Sequence, residues 1–482
     1  MLDLRPVGYV IGLLVTVLGA AMLLPLLVDL AEGRGHWPVF LQSSLLTMLT
    51  GASMALACAN GVRAGLSLQQ TFLLTTGVWV ALPIFGALPF LLGETDSRTV
   101  DAFFEAMSAL TTTGATALQG LENLPKGLLL WRGIMQWLGG IGIIVVAMVF
   151  LPELRVGGMQ IFRSEGFDTM GKILPRATEI ATRISVVYVG LTMLCAFAYI
   201  TTGLDTFDAT VHAMTTVATG GMANYDTSFG AFGAGTHYVA CVFMILAALP
   251  FVRYVQLLAG TAVPLWRDSQ IRVFLTIIVI VTLLITWAVW TTQTVSNEVG
   301  FRQALFNVIS ITTGTGYANA DYMLWGAFPV MVFFFVGLIG GCAGSTACSI
   351  KVFRYQLLFA SIRAQLQKIR SPHGVFIPRF EGRRVGEDVL SSVMSFFMFF
   401  VLTMGGLAVA LGLTGLDFIT AVSGAATALA NVGPGLGSEI GPAGNYANLN
   451  DTAKWLLAIG MLIGRLELLA VYAIFTIQFW RA

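Results

Sequence analysis

The chain has 482 residues, of which 56% are hydrophobic and only 11% are charged. Because an average soluble domain carries about 25% charged residues, this composition excludes a water-soluble protein. The formal net charge of +1 gives no indication of a nucleic-acid-binding surface. The five cysteines and four histidines form neither a CxxC nor an HExxH motif, which argues against a zinc site.

The first two predicted elements are long apolar helices over residues 7–30 and 38–60. Apolar blocks of about 20 residues match the length needed to cross a hydrocarbon core about 30 Å thick. Strands of a membrane barrel would instead be about ten residues long, with alternating polarity. The first block follows only Arg5 and is too long for the core of a signal peptide, so we predict a retained transmembrane helix.

From residue 67 onward the chain repeats one arrangement four times. Each predicted repeat has a long apolar helix, a shorter helix rich in Ala, Ser and Thr, a turn containing glycine, and a second long apolar helix. The predicted long helices are 71–92 and 127–151, 184–202 and 236–252, 273–292 and a helix from 323 that is interrupted near Gly340, and 390–413 and 454–479. The predicted short helices, which cannot span a bilayer, are 100–110, 206–217, 300–311 and 418–429.

The four turns align on one glycine each. The aligned segments are 111–115 (TTTGA), 217–221 (VATGG), 313–317 (TGTGY) and 430–434 (ANVGP). Their glycines, separated by 106, 96 and 117 residues, are Gly114, Gly220, Gly316 and Gly433. An internal repeat of this kind indicates one structural module per repeat.

These patterns predict an all-α polytopic membrane protein. Four helix-pore loop-helix repeats would surround a central pore, and two extra transmembrane helices would precede them. The predicted units are 1–66 for the extra helices and 67–180, 181–268, 269–386 and 387–482 for the four repeats. Most of the 26 lysine and arginine residues fall in segments on the same side as the N-terminus. The positive-inside rule therefore predicts a cytoplasmic N-terminus and four turns that face outward.

Irregular backbone within a membrane is tolerated only where it is buried in protein or lines a wet cavity. Four such turns at one depth imply a shared axis, around which main-chain carbonyls can replace the water shell of a cation. The carbonyl ends of the short helices would favour cations over anions. Glycine turns that serve only helix packing are the alternative. The predicted filter residues are Thr112, Thr113, Gly114, Ala218, Thr219, Gly220, Gly314, Thr315, Gly316, Asn431, Val432 and Gly433.

The order of modules, the two extra helices and the single-glycine turns resemble the TrkH/KtrB/HKT superfamily of potassium transporters. The extra helices and the TTTG segment resemble its TrkH branch, and the resemblance covers essentially the whole chain. In that superfamily, glycine at the filter position of every repeat accompanies potassium preference, so the resemblance implies K⁺ as the bound and transported ion. The chain lacks the longer TVGYG run of tetrameric potassium channels. Asn431 and Val432 leave the contribution of the fourth turn open.

A run of glycines interrupts the second long helix of the third repeat. Gly340, Gly341 and Gly344, followed by Ser345, are expected to break this helix near mid-membrane and leave a loop beneath the turns. Close helix packing is the alternative, because Gly337 with Gly341 and Gly340 with Gly344 fit small-xxx-small spacing. The family resemblance implies that the segment is an intramembrane gate.

Arg465 lies in the middle of an apolar stretch of the last predicted helix. Arginine at a bilayer centre costs about 2.5–3.5 kcal/mol on insertion scales, so we expect this side chain to face the pore or a partner. Glu467 points to a different helical face and is a poor partner. A buried ion pair with another helix is the alternative to a positive charge that tunes ion flux. The resemblance matches Arg465 to the family's basic residue in this helix.

The function expected from the resemblance is gated, channel-like uptake of K⁺, with Rb⁺ also passing and Na⁺ passing less well, across the bacterial inner membrane. A secondary carrier that couples K⁺ to H⁺ or Na⁺ is the alternative. An enzyme is not expected, because the predicted helices are poor in titratable residues. The resemblance also implies a homodimer and a TrkA-like cytosolic nucleotide-binding ring. Basic residues between Lys351 and Arg384 would bind that ring; ordinary membrane topology is the alternative explanation of these charges.

Overall fold

The computed structural model describes residues 2–33, 35–61, 66–93, 95, 97–145, 177–466 and 468–481, and it is mostly helical. Within these residues, seven helices are long and apolar enough to cross a membrane, or eight if one bent pair is a single span. The end of the predicted helix 127–151 and Glu467 lie outside the described residues. The predicted helical class is therefore confirmed.

The N-terminal helices α1 (Arg5–Ala21), α2 (Leu23–Ala31) and α3 (Trp37–Cys58) form the predicted extra pair, with α1 and α2 making one span. Helices α1 and α3 pack closely through Gly12 and Gly51. A Cβ atom at either glycine would lie 2.6 Å from a backbone nitrogen of the other helix. Small residues allow this approach of two membrane helices.

The first repeat begins with α4 (Leu68–Gly86) and α5 (Leu88–Leu92), which together form one span. The short helix α6 (Thr99–Leu110) follows, and α7 (Lys126–Val145) is the second long helix. All residues of α6 from Val100 to Leu110 are buried except the half-buried Phe103. The short helix therefore lies inside the protein.

The second repeat contains α8 (Ala177–Thr201), α9 (Thr206–Val217), α10 (Ala234–Ala247) and α11 (Phe251–Leu258). A short α12 (Val263–Arg267) follows. The prediction of one continuous helix over 236–252 was wrong. Helices α10 and α11 are bent by 88°, because the proline that precedes α11 cannot donate a helical hydrogen bond.

The third repeat contains α13 (Ser269–Thr292), α14 (Asn297–Thr313), α15 (Ala327–Gly337) and α16 (Val352–Arg370). The segment 338–351 between α15 and α16 is not helical, so the predicted interruption near Gly340 is confirmed. A small hairpin of two antiparallel strands, β1 (Arg379–Phe380) and β2 (Arg383–Arg384), follows α16.

The fourth repeat ends in three helical pieces rather than the single predicted helix 454–479. Arg465 ends the first piece, and Leu468, with φ +35°, lies between the first and second pieces. The prediction of one continuous helix was therefore wrong beyond Arg465. The helices of this repeat are α17 (Glu387–Leu413), α18 (Phe418–Ala430), α19 (Gly437–Ile440), α20 (Asp451–Arg465), α21 (Leu469–Ile474) and α22 (Ile477–Arg481).

The four repeats close into a ring. The second long helix of each repeat packs against the short helix of the next: α7 on α9, α10 on α14, α15 on α18, and α20 on α6. The last of these contacts joins the end of the chain to its first repeat. The four short helices α6, α9, α14 and α18 therefore surround one common region.

The outer surface of the ring is apolar. Large side chains such as Phe197 on α8, Leu283 and Trp287 on α13, and Val409 on α17 are more than half exposed. Contiguous exposed apolar surface of this kind is rare on soluble proteins and marks contact with lipid or with another protein. Polar side chains are concentrated on the inside, next to the glycine turns.

Candidate functional site

Each short helix ends in a turn that starts with one left-handed residue. The φ angles are +52° at Thr112, +48° at Thr219, +77° at Gly314 and +50° at Asn431. A residue of this conformation stops a helix and turns the chain back. The four turns therefore share one backbone shape at their first position, although only one of these residues is glycine.

Two residues later, three of the turns contain a left-handed glycine. The φ angles are +84° at Gly114, +74° at Gly221 and +86° at Gly316, and Gly433 occupies the same place in the fourth turn. The predicted alignment of the second turn was therefore wrong by one residue. Two adjacent glycines made the sequence ambiguous there, and the backbone conformation selects the second.

Hydrogen bonding supports this register. The amide of Thr113 donates to the carbonyl of Ser108, and the amide of Gly220 donates to the carbonyl of Thr215, at the same spacing. Gly220 therefore occupies the position of Thr113. Ala218 is the residue that caps α9 and lies before the three-residue turn. The second turn consists of residues 219–221.

The four turns contact one another in a closed ring. A Cβ atom placed at each of the four glycines would contact or overlap main-chain atoms of a neighbouring turn. These contacts run from Gly114 to Gly220, from Gly221 to Thr315, from Gly316 to Gly433, and from Gly433 to Thr113. Since glycine alone lacks this atom, the close approach of the turns requires the residue type at all four positions, and φ requires it as well at Gly114, Gly221 and Gly316.

A cavity of about 330 Å³ opens on the side that the charge distribution predicts to be external, and the four glycines line it. Its other lining residues include Arg132, Asp226 and Tyr446. We call this cavity the vestibule. The ring of glycine turns therefore borders a space large enough to hold several water molecules.

Side chains behind the ring fix the second and third turns. Gln136 of α7 donates from Nε2 to the carbonyl oxygen of Gly220, at 2.6 Å, and its Oε1 accepts from the amide of Met222, at 3.1 Å. The hydroxyl of Tyr317 lies 2.5 Å from the hydroxyl oxygen of Thr215 and 3.2 Å from that of Thr216. The second turn is thus held by a helix of the first repeat, and the third turn by the short helix of the second repeat.

Sequence reasoning missed Gln136 and Tyr317 as supports of the ring. Gln136 is a fully buried amide in an otherwise apolar membrane helix. A polar residue in such a helix indicates an interior partner, so this signal was present in the sequence. Tyr317 directly follows Gly316, but its contact with α9 depends on packing between repeats.

Two buried ion pairs hold the first short helix, and Arg132 of the first pair also lines the vestibule. The guanidinium Nε of Arg132 lies 2.7 Å from a carboxylate oxygen of Glu105, and its Nη1 donates to the carbonyl oxygen of Ala223. The ammonium of Lys454 lies 2.5 Å from a carboxylate oxygen of Asp101. The two pairs connect the short helix α6 to the long helices α7 and α20. The first short helix is therefore held by electrostatic attraction as well as by packing.

The non-helical segment 338–351 passes beneath the ring, and we call it the inner loop. Gly340, with φ +78°, and Gly344, with φ +74°, give it its shape. Within the inner loop, the amide of Cys342 donates to the carbonyl of Ala248, and the carbonyl of Gly344 accepts from the amide of Phe251. The inner loop therefore satisfies backbone groups left unpaired by the bend between α10 and α11.

The predicted gate residues Gly340, Gly341, Gly344 and Ser345 all lie in the inner loop. Because no helix runs through them, the alternative of small-xxx-small helix packing was wrong. The hydroxyl of Ser345 donates to the carbonyl of Cys342, and Ser345 is buried. The segment is thus a packed loop inside the protein.

Arg465 reaches the inner loop from α20. Its Nη1 lies 2.6 Å from Sγ of Cys348, and that sulfur lies 3.6 Å from the hydroxyl of Thr112 in the first turn. Arg465 is the last residue of α20, where a positive charge interacts favourably with the helix dipole. The side chain of Cys348 therefore lies between the guanidinium of Arg465 and the first turn of the ring. Cys348 is a member of this arrangement that sequence reasoning missed.

A second, small cavity of about 20 Å³ lies between the ring and the inner loop. Asn431, Cys348 and Arg465 are among its lining residues. Asn431 donates from Nδ2 to the hydroxyl of Thr113, at 3.0 Å, so it joins the first and fourth turns. In the part of the chain that the structure describes, no three or more His, Cys, Asp or Glu residues could hold a metal ion together. A cation at this site would be bound by main-chain and hydroxyl oxygens.

Comparison with known proteins identifies the family. The TrkH family, described as cation transport protein, matches residues 36–480. The chain belongs to the TrkH family. This TrkH-family chain is 45% identical over 479 residues to the Trk system potassium uptake protein TrkI of Halomonas elongata, covering 99% of this chain and 97% of that protein.

Two further relatives support the same family. The chain is 35% identical over 483 residues to the Trk system potassium uptake protein TrkH of Escherichia coli, with 99% of both chains covered. It matches the crystal structure of the potassium transporter TrkH from Vibrio parahaemolyticus with a TM-score of 0.91, at 33% identity and with 100% of both chains covered.

The predicted resemblance to the TrkH branch is therefore confirmed. The TrkH family consists of transporters rather than enzymes. Together with the several apolar spans, this membership makes the TrkH-family chain a multi-pass protein of the bacterial inner membrane. The predicted unit boundaries and the roles of the predicted site residues stay predictions.

Proposed function

We propose that this TrkH-family chain takes up potassium through the ring of glycine turns, with rubidium also passing and sodium passing less well. The observation that carries the proposal is the closed ring of four turns, whose glycines line the vestibule. Three relatives that match almost the whole chain are named as potassium uptake proteins or as a potassium transporter, which supports potassium as the ion.

Main-chain carbonyls are suited to a monovalent cation because they offer dipoles without full charges. An ion that leaves water can exchange its hydration shell for them, and it is not trapped by a carboxylate. The proposed filter residues are Thr112, Thr113, Gly114, Thr219, Gly220, Gly221, Gly314, Thr315, Gly316, Asn431, Val432 and Gly433. This set replaces Ala218 by Gly221, following the backbone register of the second turn.

We further propose channel-like movement driven by the membrane potential, which contributes about 2.3 kcal/mol per charge per 100 mV. A carrier coupling K⁺ to H⁺ or Na⁺ is the second candidate, and the breaks in three of the second long helices are a feature that carriers share. Against it, the buried carboxylates Glu105 and Asp101 are each paired with a cation and are poorly placed to relay protons. Reversal potentials in potassium and proton gradients separate the two mechanisms.

The inner loop and Arg465 are the proposed gate. In its present position the loop places Cys348 beneath Thr112 and brings Arg465 to that sulfur. An ion leaving the ring would meet this positive charge. Movement of the inner loop would shift both groups together, because they are in contact, and would open the path toward the cytoplasm.

Regulation by a cytosolic nucleotide-binding ring and assembly as a homodimer complete the proposal. Exposed basic residues on α16, Arg363, Lys368 and Arg370, are available for an acidic partner surface. Lys351 and Arg354 belong to the same stretch but are buried, so they contribute to internal packing instead. Because α16 directly follows the inner loop, a partner bound there is placed to move the gate.

Gly114→Ser tests the filter in a potassium-transport-deficient bacterial host. A serine side chain would overlap the carbonyl of Gly220 and would be strained at φ +84°. We expect the ratio of potassium to sodium uptake to fall by about tenfold, equivalent to about 1.4 kcal/mol. Rubidium and sodium uptake, normalised to protein in the membrane, are the measurements.

Gly203→Ser is the matched control. Gly203 also has a left-handed φ, +96°, but no atom outside its neighbours lies within 4 Å of its Cβ position. This variant carries the same backbone strain without the contact and should keep the wild-type ratio. If Gly114→Ser also keeps that ratio, the ring is not the filter.

A further inference from the structure

A groove of about 330 Å³ lies on the outer surface of α13, close to the start of this helix. Its lining residues are Ser269, Arg272, Val273, Thr276 and Ile277. Their spacings of three and four residues place them along one face of the helix. Ser269 and Arg272 line the end of the groove at the start of α13, and the apolar side chains of Val273 and Ile277 line it further along. This order of groups matches a ligand with a polar head and an apolar chain.

The hydroxyl oxygen of Ser269 is buried and has no hydrogen-bond partner among the described residues. A buried polar group without a partner costs free energy, so this hydroxyl indicates a ligand that is not part of the chain. The backbone of Ser269 is already engaged. Its amide donates to a carboxylate oxygen of Glu381, at 2.8 Å, and its carbonyl accepts from Nε2 of Gln356 in α16, at 3.2 Å.

Two exposed arginines lie at the polar end of the groove. Arg267 ends α12, and Arg272 donates from Nη2 to the carbonyl oxygen of Arg267, at 3.3 Å. Neither guanidinium is paired with a carboxylate in the part of the chain that the structure describes. The carboxylate of Asp268, between them in sequence, is paired with Arg253 at 2.8 Å. Positive charge therefore remains available for an anionic ligand.

The position of the groove indicates that its ligand comes from the bilayer. Helix α13 is one of the apolar spans, so its first turn lies at the membrane surface. Trp266, directly before Arg267, is 79% exposed, and Leu258 at the end of α11 is 74% exposed. Exposed tryptophan beside arginine is typical of the boundary between lipid and water, and basic residues at this depth attract anionic lipids.

The start of α13 is also bonded to the inner loop. Gln270, the residue after Ser269, is buried, and its Oε1 accepts from the amide of Ala343 in the inner loop, at 3.0 Å. This bond helps to hold the inner loop in its present position. A ligand that fixes the first turn of α13 therefore strengthens the hold on the inner loop as well.

We propose that this groove binds one anionic phospholipid of the inner membrane. The phosphate contacts Arg267, Arg272 and the hydroxyl of Ser269, and one acyl chain lies along the apolar end of the groove. The bound lipid steadies the inner loop in its present position and so limits ion flux. This effect on flux rests on the proposed function, whereas the binding of the lipid does not.

Titration of the full-length, detergent-purified protein with phosphatidylglycerol, followed by native mass spectrometry, measures binding. The double variant Arg267→Gln and Arg272→Gln should weaken binding about thirtyfold, the effect of two arginines on attraction to anionic lipid. Ser269→Ala should weaken it about two- to tenfold, the range for one hydrogen bond. Ser269→Ala should not lower the unfolding temperature of the lipid-free protein, because it removes a hydroxyl that has no partner there.

The double variant Arg5→Gln and Arg481→Gln is the matched control, because it removes the same charge from two exposed arginines elsewhere in the chain. It should bind phosphatidylglycerol like the wild type. Excess glycerol 3-phosphate, which has the phosphate but no acyl chains, should not displace the lipid. Wild-type binding by the Arg267→Gln and Arg272→Gln variant, or displacement by glycerol 3-phosphate, would refute the phospholipid site.

Rubidium uptake into vesicles of phosphatidylethanolamine and phosphatidylglycerol tests the effect on the inner loop. In the same vesicles, which keep the surface charge of the membrane constant, the Arg267→Gln and Arg272→Gln variant should take up rubidium about two- to tenfold faster than the wild type, the range for one weakened hydrogen bond. Equal uptake despite lost binding would show that the lipid does not act on the gate. Failure of the proposed filter is distinguishable, since Gly114→Ser would then keep the wild-type ratio while binding of phosphatidylglycerol stayed intact.

Discussion

Individual buried charges in this protein hold neighbouring helices together. Arg132 and Glu105 are 2% and 0% exposed, and their ion pair sits beside the vestibule between α7 and α6. Glu105 also accepts from the hydroxyl of Thr116 and the amide of Ala117, just beyond the first glycine turn. The carboxylate therefore organises the chain that leads away from the ring, while Arg132 neutralises it.

Arg132→Met is expected to destabilise the protein by about 3–5 kcal/mol, because it leaves the carboxylate of Glu105 buried without its cation. The double variant with Glu105→Gln should recover part of this loss. Thermal unfolding of the detergent-purified protein measures both effects. Asp451→Asn, which removes a half-exposed partner of Arg98, is the control and should change the unfolding temperature little. If the loss of stability in the double variant equals the sum of the losses in the two single variants, Arg132 and Glu105 are not energetically coupled.

The amino-acid sequence alone predicted only some of the positions in the ring of glycine turns. Glycine at positions 114, 316 and 433 was predicted correctly as the common residue of three turns. In the second turn, Gly220 and Gly221 are adjacent, and no property of the sequence distinguishes them.

At the scale of elements, interruptions of long helices create the region below the ring. The bend between α10 and α11, the inner loop after α15, and the end of α20 at Arg465 come from three different repeats. They meet at the inner loop, which bonds to α10 through Cys342 and contacts Arg465 through Cys348. The proposed gate is therefore built from several helix ends rather than from one loop alone.

Arg465→Ala is expected to raise rubidium flux severalfold at unchanged amounts of protein in the membrane. The substitution removes a positive charge from the path below the first turn and breaks the contact with Cys348. Uptake rates under a fixed membrane potential are the measurement. Arg481→Ala, at an exposed arginine of α22, should behave as wild type. Equal flux in the wild type and Arg465→Ala would remove Arg465 from the gate.

The short helices could be predicted well because their ends carry local signals. The prediction 206–217 matches α9, and 418–429 ends one residue before α18. The breaks at Pro250 and after Arg465 were missed, since each lies in an apolar stretch long enough to span a bilayer. Proline in a membrane helix is compatible with a continuous span when neighbours satisfy the freed groups, so hydropathy alone could not decide these two cases.

At the scale of the whole molecule, one helix, α16, connects an exposed surface to the inner loop. Helix α16 starts at Val352, directly after the inner loop, and its first turns are buried, while its end is exposed. Helix α16 also packs on α17 and on β1. A force applied at its exposed end would therefore reach both the inner loop and the fourth repeat.

Charge reversal on α16 tests the proposed partner. The triple variant Arg363→Glu, Lys368→Glu and Arg370→Glu should no longer co-purify with a co-expressed TrkA-like ring, because repulsion replaces attraction at the exposed end of the helix. Retention on an affinity-tagged transporter, followed at two salt concentrations, is the measurement. Arg272→Glu, on an exposed basic residue of α13, is the control. Unaltered co-purification of the triple variant would place the partner elsewhere.

The contact of α20 with α6 has a consequence for how this protein is made. The first glycine turn is synthesised early, but α20, the long helix that packs against α6, belongs to the final part of the chain. A ribosome-bound chain that has not yet inserted α20 has three of the four helix-to-helix contacts of the ring. The ring of turns is therefore closed only when α20 is in place, so the proposed ion site is completed last.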